Sequence, residues 1–157
     1  MAVEEEVGRL LVARGWRLAV AETSTGGYIG YLLTSVPGSS NYFDRSIVAY
    51  SNAAKEISLA VPPAVLQEHG AVSLVTAIAM ATQVQELSQV EVGLAVTGLT
   101  GPQIGRRSSK PIGLTYMAIA LPHVSLWWEG VIPGERTEIQ RQSALKSLEM
   151  LRDALSR

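Results

Sequence analysis

The sequence contains no cysteine. That excludes a disulfide framework, a zinc-thiolate site, an iron-sulfur cluster and a thiol nucleophile, and leaves covalent chemistry to Ser, Thr, Lys, Tyr and carboxylates. Net charge is nearly absent as well. Thirteen Lys and Arg stand against fourteen Asp and Glu, so no overall positive field exists to hold a nucleic acid or an anionic membrane. The two histidines, His69 and His123, lie far from each other and from carboxylate pairs at ligand spacing, which predicts no metal. No apolar run approaches the ~18 residues of a membrane span. Glu4 to Glu6 sit where a signal peptide needs positive charge, so a cytoplasmic protein without membrane or nucleic-acid partners is expected.

What remains is apolar material, 47% of 157 residues, which suffices for one core and is too little chain for two ordinary domains. A single domain over residues 1–157 is therefore expected. Val3, Val7, Leu10 and Leu11 recur at helical spacing and Gly15 supplies a stop, predicting an opening amphipathic helix. Strands are expected at 17–22, 46–51, 92–98, 113–121 and 124–132, the last two joined by a turn at Pro122-His123. Helices are expected at 28–35, after an Asn52 cap, at 64–69, from a Ser73 cap to 87, and at 135–155. Strands separated by helices predict an α/β domain with a mixed, mostly parallel sheet between helix layers, the final pair being antiparallel.

In such sheets sites form beyond the carboxyl ends of strands, and polar turns follow Glu22, Ser51 and Thr97. The turn Thr23, Ser24, Thr25, Gly26, Gly27 places hydroxyls and side-chain-free residues before a helix, where backbone N–H groups can approach a phosphate or simply cap the helix. Ser39 and Ser40 follow Pro37-Gly38. A serine hydroxyl needs a base, and a lysine such as Lys55 serves if burial keeps part of it neutral, with Tyr50 able to relay the proton. The pair Trp127-Trp128 alternates faces on its strand, putting one ring in the core and the other outside or at a subunit contact, so a homodimer is expected.

The ordered stretches AETSTGG (21–27), LTSVPGSS (33–40), VAYSNAAK (48–55), HGAVS (69–73), VTGLTGP (96–102) and KPIG (110–113) together resemble the CinA C-terminal domain family, whose members include PncC-type nicotinamide mononucleotide amidohydrolases. The resemblance covers nearly the whole chain. It implies a three-layer α/β/α fold related to anticodon-binding domains, and hydrolysis of the nucleotide carboxamide to nicotinate mononucleotide and ammonia without metal or organic cofactor. By similarity Ser40 is the nucleophile, assisted by Tyr50 and Lys55. Thr23 to Gly27, Ser39, Thr97, Gly98, Gly101, Lys110 and Arg136 are the implied substrate contacts, with the nucleotide phosphate on Lys110 or Arg136 and an oxyanion site at 38–40 or 23–27. Arg141, about 140° further round the same helix, cannot share one pocket with Arg136.

The chain departs from the family pattern in three places. Thr23 replaces a usual serine and adds a methyl; Ile104 replaces a glycine in a loop that is one residue longer at 106–109; Ser46 replaces another glycine. These departures favour a rival of a different class, a nucleotide-binding or oligomerisation module that keeps the fold without the amidase rate.

Overall fold

The computed structural model describes residues 1–102 and 108–157. In chain order the elements are α1 (Val3–Arg14), β1 (Leu18–Glu22), α2 (Tyr28–Thr34), a 3-10 turn (Ser39–Asn41), β2 (Phe43–Val48), α3 (Asn52–Leu59), α4 (Pro63–His69), α5 (Leu74–Ser88), β3 (Val92–Gly98), β4 (Leu114–Ala120), β5 (Ser125–Val131) and α6 (Arg136–Leu155). The five strands form one mixed sheet in the order β2-β1-β3-β4-β5. β2, β1 and β3 run parallel, while β4 and β5 are antiparallel to their neighbours. Helices cover both faces, giving the expected three-layer α/β/α architecture.

The two faces of the sheet differ in side-chain size, and this sets the layers. On one face Leu18, Val20, Leu94, Val96, Met117 and Ile119 pack with α1, α2 and α6. On the other, Ala19, Ala21, Ala95, Ala118 and Ala120 meet Ala77, Met80, Ala81 and Val84 of α5. Alternation along a strand sends successive residues to opposite faces, so one strand such as Leu18-Ala19-Val20-Ala21 carries both patterns. The alanine face lets α5 lie unusually close. At Gly93 there is no room for a side chain at all: a Cβ there would fall 2.1 Å from the Ala81 carbonyl oxygen.

Local chemistry fixes the ends. α1 stops at Gly15, whose φ of 65° is left-handed and whose N–H satisfies carbonyls of the last turn. α5 starts at Ser73, whose hydroxyl accepts the Thr76 N–H, as its sequence predicts. Two expectations shift. β2 spans Phe43–Val48 rather than 46–51, because its half-buried edge position lets Asp44 and Arg45 into a strand that apolar patterning does not mark. The cap of α3 is Ser51, which accepts the Ala54 N–H at 3.0 Å; Asn52 is the first helical residue. Trp128 packs half-buried against the core beneath Lys146, and Trp127 is exposed on β5, the outer strand. Among the described residues no helix is long and apolar enough to cross a membrane.

Gly93→Ala is expected to push α5 off the sheet and cost about 2 kcal/mol, a typical overpacking penalty. For a chain of this size that lowers Tm by roughly 4–8 °C, to be read by calorimetry.

Candidate active site

β1 ends on Glu22, which is fully buried, and its carboxyl group organises everything beyond it. One oxygen accepts the Gly30 N–H at 2.9 Å and the Ser46 hydroxyl at 2.7 Å. The other accepts the Thr25 hydroxyl at 2.6 Å and the N–H groups of Gly27 and Ile29, each at 3.1 Å. The free N–H groups that open α2 are thus satisfied from inside the protein. The Gly26 N–H turns back to the Thr23 carbonyl. Left-handed φ values of 59° at Gly26 and 101° at Gly27 make this tight reversal possible and explain the glycines. Of the two readings of the 23–27 turn, the structure shows the capping one: Glu22 accepts the Gly27 N–H, and the Gly26 N–H is spent on the Thr23 carbonyl.

The same turn pins Thr23 into the sheet. Its N–H donates to the Val96 carbonyl at 3.0 Å and its hydroxyl to the Ala49 carbonyl at 3.1 Å. One residue further along that segment, the Tyr50 carbonyl accepts from Lys55 Nζ at 3.2 Å. Lys55 belongs to α3, has no exposed surface, and is brought down by the Ser51 cap that starts its helix. Burial penalises its charged form and lowers its pKa from 10.5 to about 8. A usable neutral fraction, about a tenth at pH 7, follows.

In front of these groups lies a cavity of about 800 Å³. Its described walls come from Tyr50 and Asn52, from 70–72 before α5, from 98–102 and 108–112 around the β3–β4 connection, and from Arg136 at the start of α6. The charged residues on these walls are Lys110 and Arg136, and no acidic one joins them. Arg136 donates to the Gly101 carbonyl at 2.7 Å and to the Tyr50 hydroxyl at 2.9 Å, bridging three segments of the rim. Lys110 Nζ donates to the Val72 carbonyl, and the Thr97 hydroxyl to that of Ala71 at 2.8 Å, so the 70–72 wall is held from two sides. Arg141 instead pairs with Glu138 away from the cavity.

Gly98 lines the cavity where a Cβ would come within 2.9 Å of the Leu114 carbonyl oxygen and 3.3 Å of Ser24 Oγ. That Ser24 hydroxyl is buried and has no hydrogen-bond partner among the described residues. Thr23, Ser24 and Lys55 themselves stand behind the wall, joined to it through the 49–50 backbone and Gly98. Ile104 and the rest of 103–107 lie outside the described residues. Among those described, no group of three or more His, Asp or Glu is placed to hold a metal.

The fold separates Ser40 from the lysine and tyrosine expected to assist it. Ser39 and Ser40 form the 3-10 turn that precedes β2, whose first residue Phe43 pairs with Leu18 at the start of β1. Tyr50 and Lys55 follow the far end of β2, where Val48 pairs with Glu22. At ~3.3 Å per residue the strand alone sets these groups about 17 Å apart or more. Ser40 is exposed at the amino edge of the sheet and cannot pass a proton to Lys55 of its own chain. Thr23 is the hydroxyl that shares a segment with the amine, and sequence spacing hid it because the contact is made across β1 and β2. The detectable signal was Glu22, an acidic residue ending an apolar strand just before a glycine turn.

A family model described as the CinA C-terminal domain matches residues 1–155. A putative competence-damage inducible protein of Desulforudis audaxviator is 40% identical over 154 residues, covering 98% of this chain and 37% of its own. A CinA-like protein of Koribacter versatilis is 39% identical, again over 98% of this chain and 37% of its own. The chain thus spans about a third of the length of these curated relatives. Among solved structures, competence damage-inducible protein A of Klebsiella pneumoniae superposes with a TM-score of 0.94 at 28% identity, covering 99% of this chain and 96% of that one. Competence/damage inducible protein CihA of Agrobacterium tumefaciens gives 0.87 at 37% identity, with 99% and 96% covered.

Two measurements check this geometry. Glu22→Gln turns one acceptor oxygen into a donor facing protein donors, so a loss of about 3 kcal/mol is expected in urea unfolding. The folded Lys55 pKa lies below its value in the unfolded chain, so between about pH 8 and 10.5 the unfolded state holds a proton the folded state has released. Its contribution therefore makes stability rise with pH across that window, and in Lys55→Met this rise is expected to vanish from urea midpoints taken at its two ends.

Proposed function

The chain belongs to the CinA C-terminal domain family, and from that premise we propose that it hydrolyses the carboxamide of nicotinamide mononucleotide to nicotinate mononucleotide and ammonia. The observation that supports this reading is a buried lysine amine, its pKa drawn down to about 8, that donates to the Tyr50 carbonyl next to the Ala49 carbonyl taken by the Thr23 hydroxyl, behind a cavity with cationic side chains.

Neutral Lys55 accepts the Thr23 hydroxyl proton as Oγ1 bonds to the amide carbon. The tetrahedral adduct then expels the nitrogen, which leaves as ammonia after taking the proton back from Lys55. Water, deprotonated by the same amine, attacks the ester, releasing the carboxylate and restoring the Thr23 hydroxyl. Arg136 and Lys110 supply the positive charge for the nucleotide phosphate, in place of the helix N-terminus that Glu22 fills. Tyr50, held by Arg136, orients the ring at the rim. No cofactor enters these steps.

A second reading, the binding module without hydrolysis, is favoured by one specific observation: Lys55 is 0% and Thr23 only 7% exposed, and neither lines the cavity. Catalysis requires the 49–50 segment or the substrate to bring them to the surface. The methyl of Thr23 adds to that requirement.

Ammonia release from nicotinamide mononucleotide by the purified protein separates the two. The amidase reading expects Thr23→Val and Lys55→Met to lose at least ~100-fold in kcat. It expects Ser40→Ala to keep kcat, Thr23→Ser to equal or exceed the parent, and kcat/KM to fall on the acid side of about pH 8. Saturable nucleotide binding with no ammonia from either the parent or Thr23→Ser establishes the module instead.

A further inference from the structure

Asn52 was expected to cap its helix, and the structure relieves it of that duty. Ser51 accepts the Ala54 N–H instead, and the Asn52 side chain, exposed at the first helical position, makes no hydrogen bond to a described residue. It stands on the cavity wall with Tyr50. Lys55 lies three residues further along α3, on the same side of the helix, and its amine donates to the Tyr50 carbonyl. Among the described residues that wall the cavity, Asn52 is thus the one that shares a helix with the buried amine.

The charge on those walls sets a problem that a neutral group has to solve. Lys110 and Arg136 stand on the described walls with no acidic residue among them. Nicotinate mononucleotide carries one negative charge more than nicotinamide mononucleotide, so by charge alone the cavity holds the product more firmly than the substrate. The hydroxyls of Tyr50, Thr100, Ser108 and Ser109 do not reverse this, because a hydroxyl rotates to donate to a carboxylate as readily as it accepts from an amide. A side-chain amide differs. Its oxygen only accepts and its nitrogen only donates, so it meets a carboxamide with two complementary hydrogen bonds and a carboxylate with one, the second carboxylate oxygen being left against Oδ1.

We infer that Asn52 distinguishes the carboxamide of the substrate from the carboxylate of the product: Oδ1 accepts from the carboxamide nitrogen while Nδ2 donates to its carbonyl oxygen. The inference rests on the reading that the cavity takes nicotinamide mononucleotide. It sets the direction of the ligand, with the carboxamide at the α3 end of the cavity, on the side of the buried amine, and the phosphate toward Lys110 or Arg136. When the amide is hydrolysed, the hydrogen that Oδ1 accepted leaves with the ammonia and two acceptors face each other. Release of the product is thereby favoured from a cavity whose charge alone would retain it.

Removing the amine lets both nucleotides be titrated by calorimetry without turnover, so Lys55→Met serves as the background. It is expected to bind nicotinamide mononucleotide about tenfold more tightly than nicotinate mononucleotide, the worth of one hydrogen bond. Adding Asn52→Leu is expected to weaken the carboxamide nucleotide by about tenfold or more and to erase or reverse the preference, with little change for the carboxylate nucleotide. Adding Asn52→Asp instead, which keeps an acceptor and sets a charge against the carboxylate, is expected to keep the preference. Asn52 is exposed, so circular dichroism should show both variants folded as the parent is. With Lys55 in place, Asn52→Leu is expected to lower the inhibition constant of nicotinate mononucleotide relative to the KM for ammonia release. No preference in the background protein, a preference that Asn52→Leu leaves unchanged, or one that Asn52→Asp abolishes as fully as Asn52→Leu overturns the inference and leaves the amidase reading standing. Binding of neither nucleotide, by the parent or by any of these variants, overturns both.

Discussion

The geometry of the site depends on burying one carboxyl group where three elements meet. Glu22 has no contact with solvent, and five donors from the following turn, from α2 and from β2 satisfy it. A buried polar group of this kind is costly unless every partner is in place, so the end of β1, the start of α2 and the middle of β2 must be correct together. From that requirement follow the two glycines of the turn, the burial of Thr25, and the seat of Thr23 between Ala49 and Val96. It also leaves the Gly27, Ile29 and Gly30 amides at the start of α2 occupied. The positive side chains on the cavity walls, Lys110 and Arg136, come instead from the β3–β4 connection and the start of α6.

The sheet supplies the second constraint. Its alanine face draws α5 close, while its leucine, valine and methionine face carries the bulk of the core under α1 and α6. Helices α3 and α4 then fill the remaining length of the small-residue side, and Lys55 enters that layer with, among the described residues, a single hydrogen bond from its amine. A lysine buried so sparsely opposes folding while it is charged, which is why its pKa falls.

Arg136 connects these parts. By holding the Tyr50 hydroxyl and the Gly101 carbonyl at once, it closes the cavity rim between β2, the β3–β4 connection and α6. Through Tyr50 it also ties the 49–50 segment to that rim. That segment is the one carrying the carbonyls to which Thr23 and Lys55 donate.

The order and type of nearly every element were legible in the chain, because helix caps, glycine stops and apolar periodicity act over a few residues. Ser73 and Gly15 are examples, and so is the run 92–98, a strand buried on every side but its last residue. The edge strand β2 was placed late because its partly exposed faces carry no strict alternation. Tyr50, Lys110 and Arg136 were also singled out by the sequence, and the fold brings them to one cavity with Lys55 buried behind it. Which hydroxyl lies at the same end of the sheet as Lys55 was not legible. Ser40 stands nearer to it in sequence than Thr23 does, yet a parallel strand carries whatever precedes it to the far end of the sheet. Proximity along the chain was thus converted to distance by the length of β2, while the pairing of β2 with β1 brought Thr23 and Lys55 to neighbouring carbonyls of one segment. Local chemistry determines what each segment becomes; only the packed sheet decides which end of each segment faces which, because register and direction are set by burial of whole faces rather than by any short stretch of sequence.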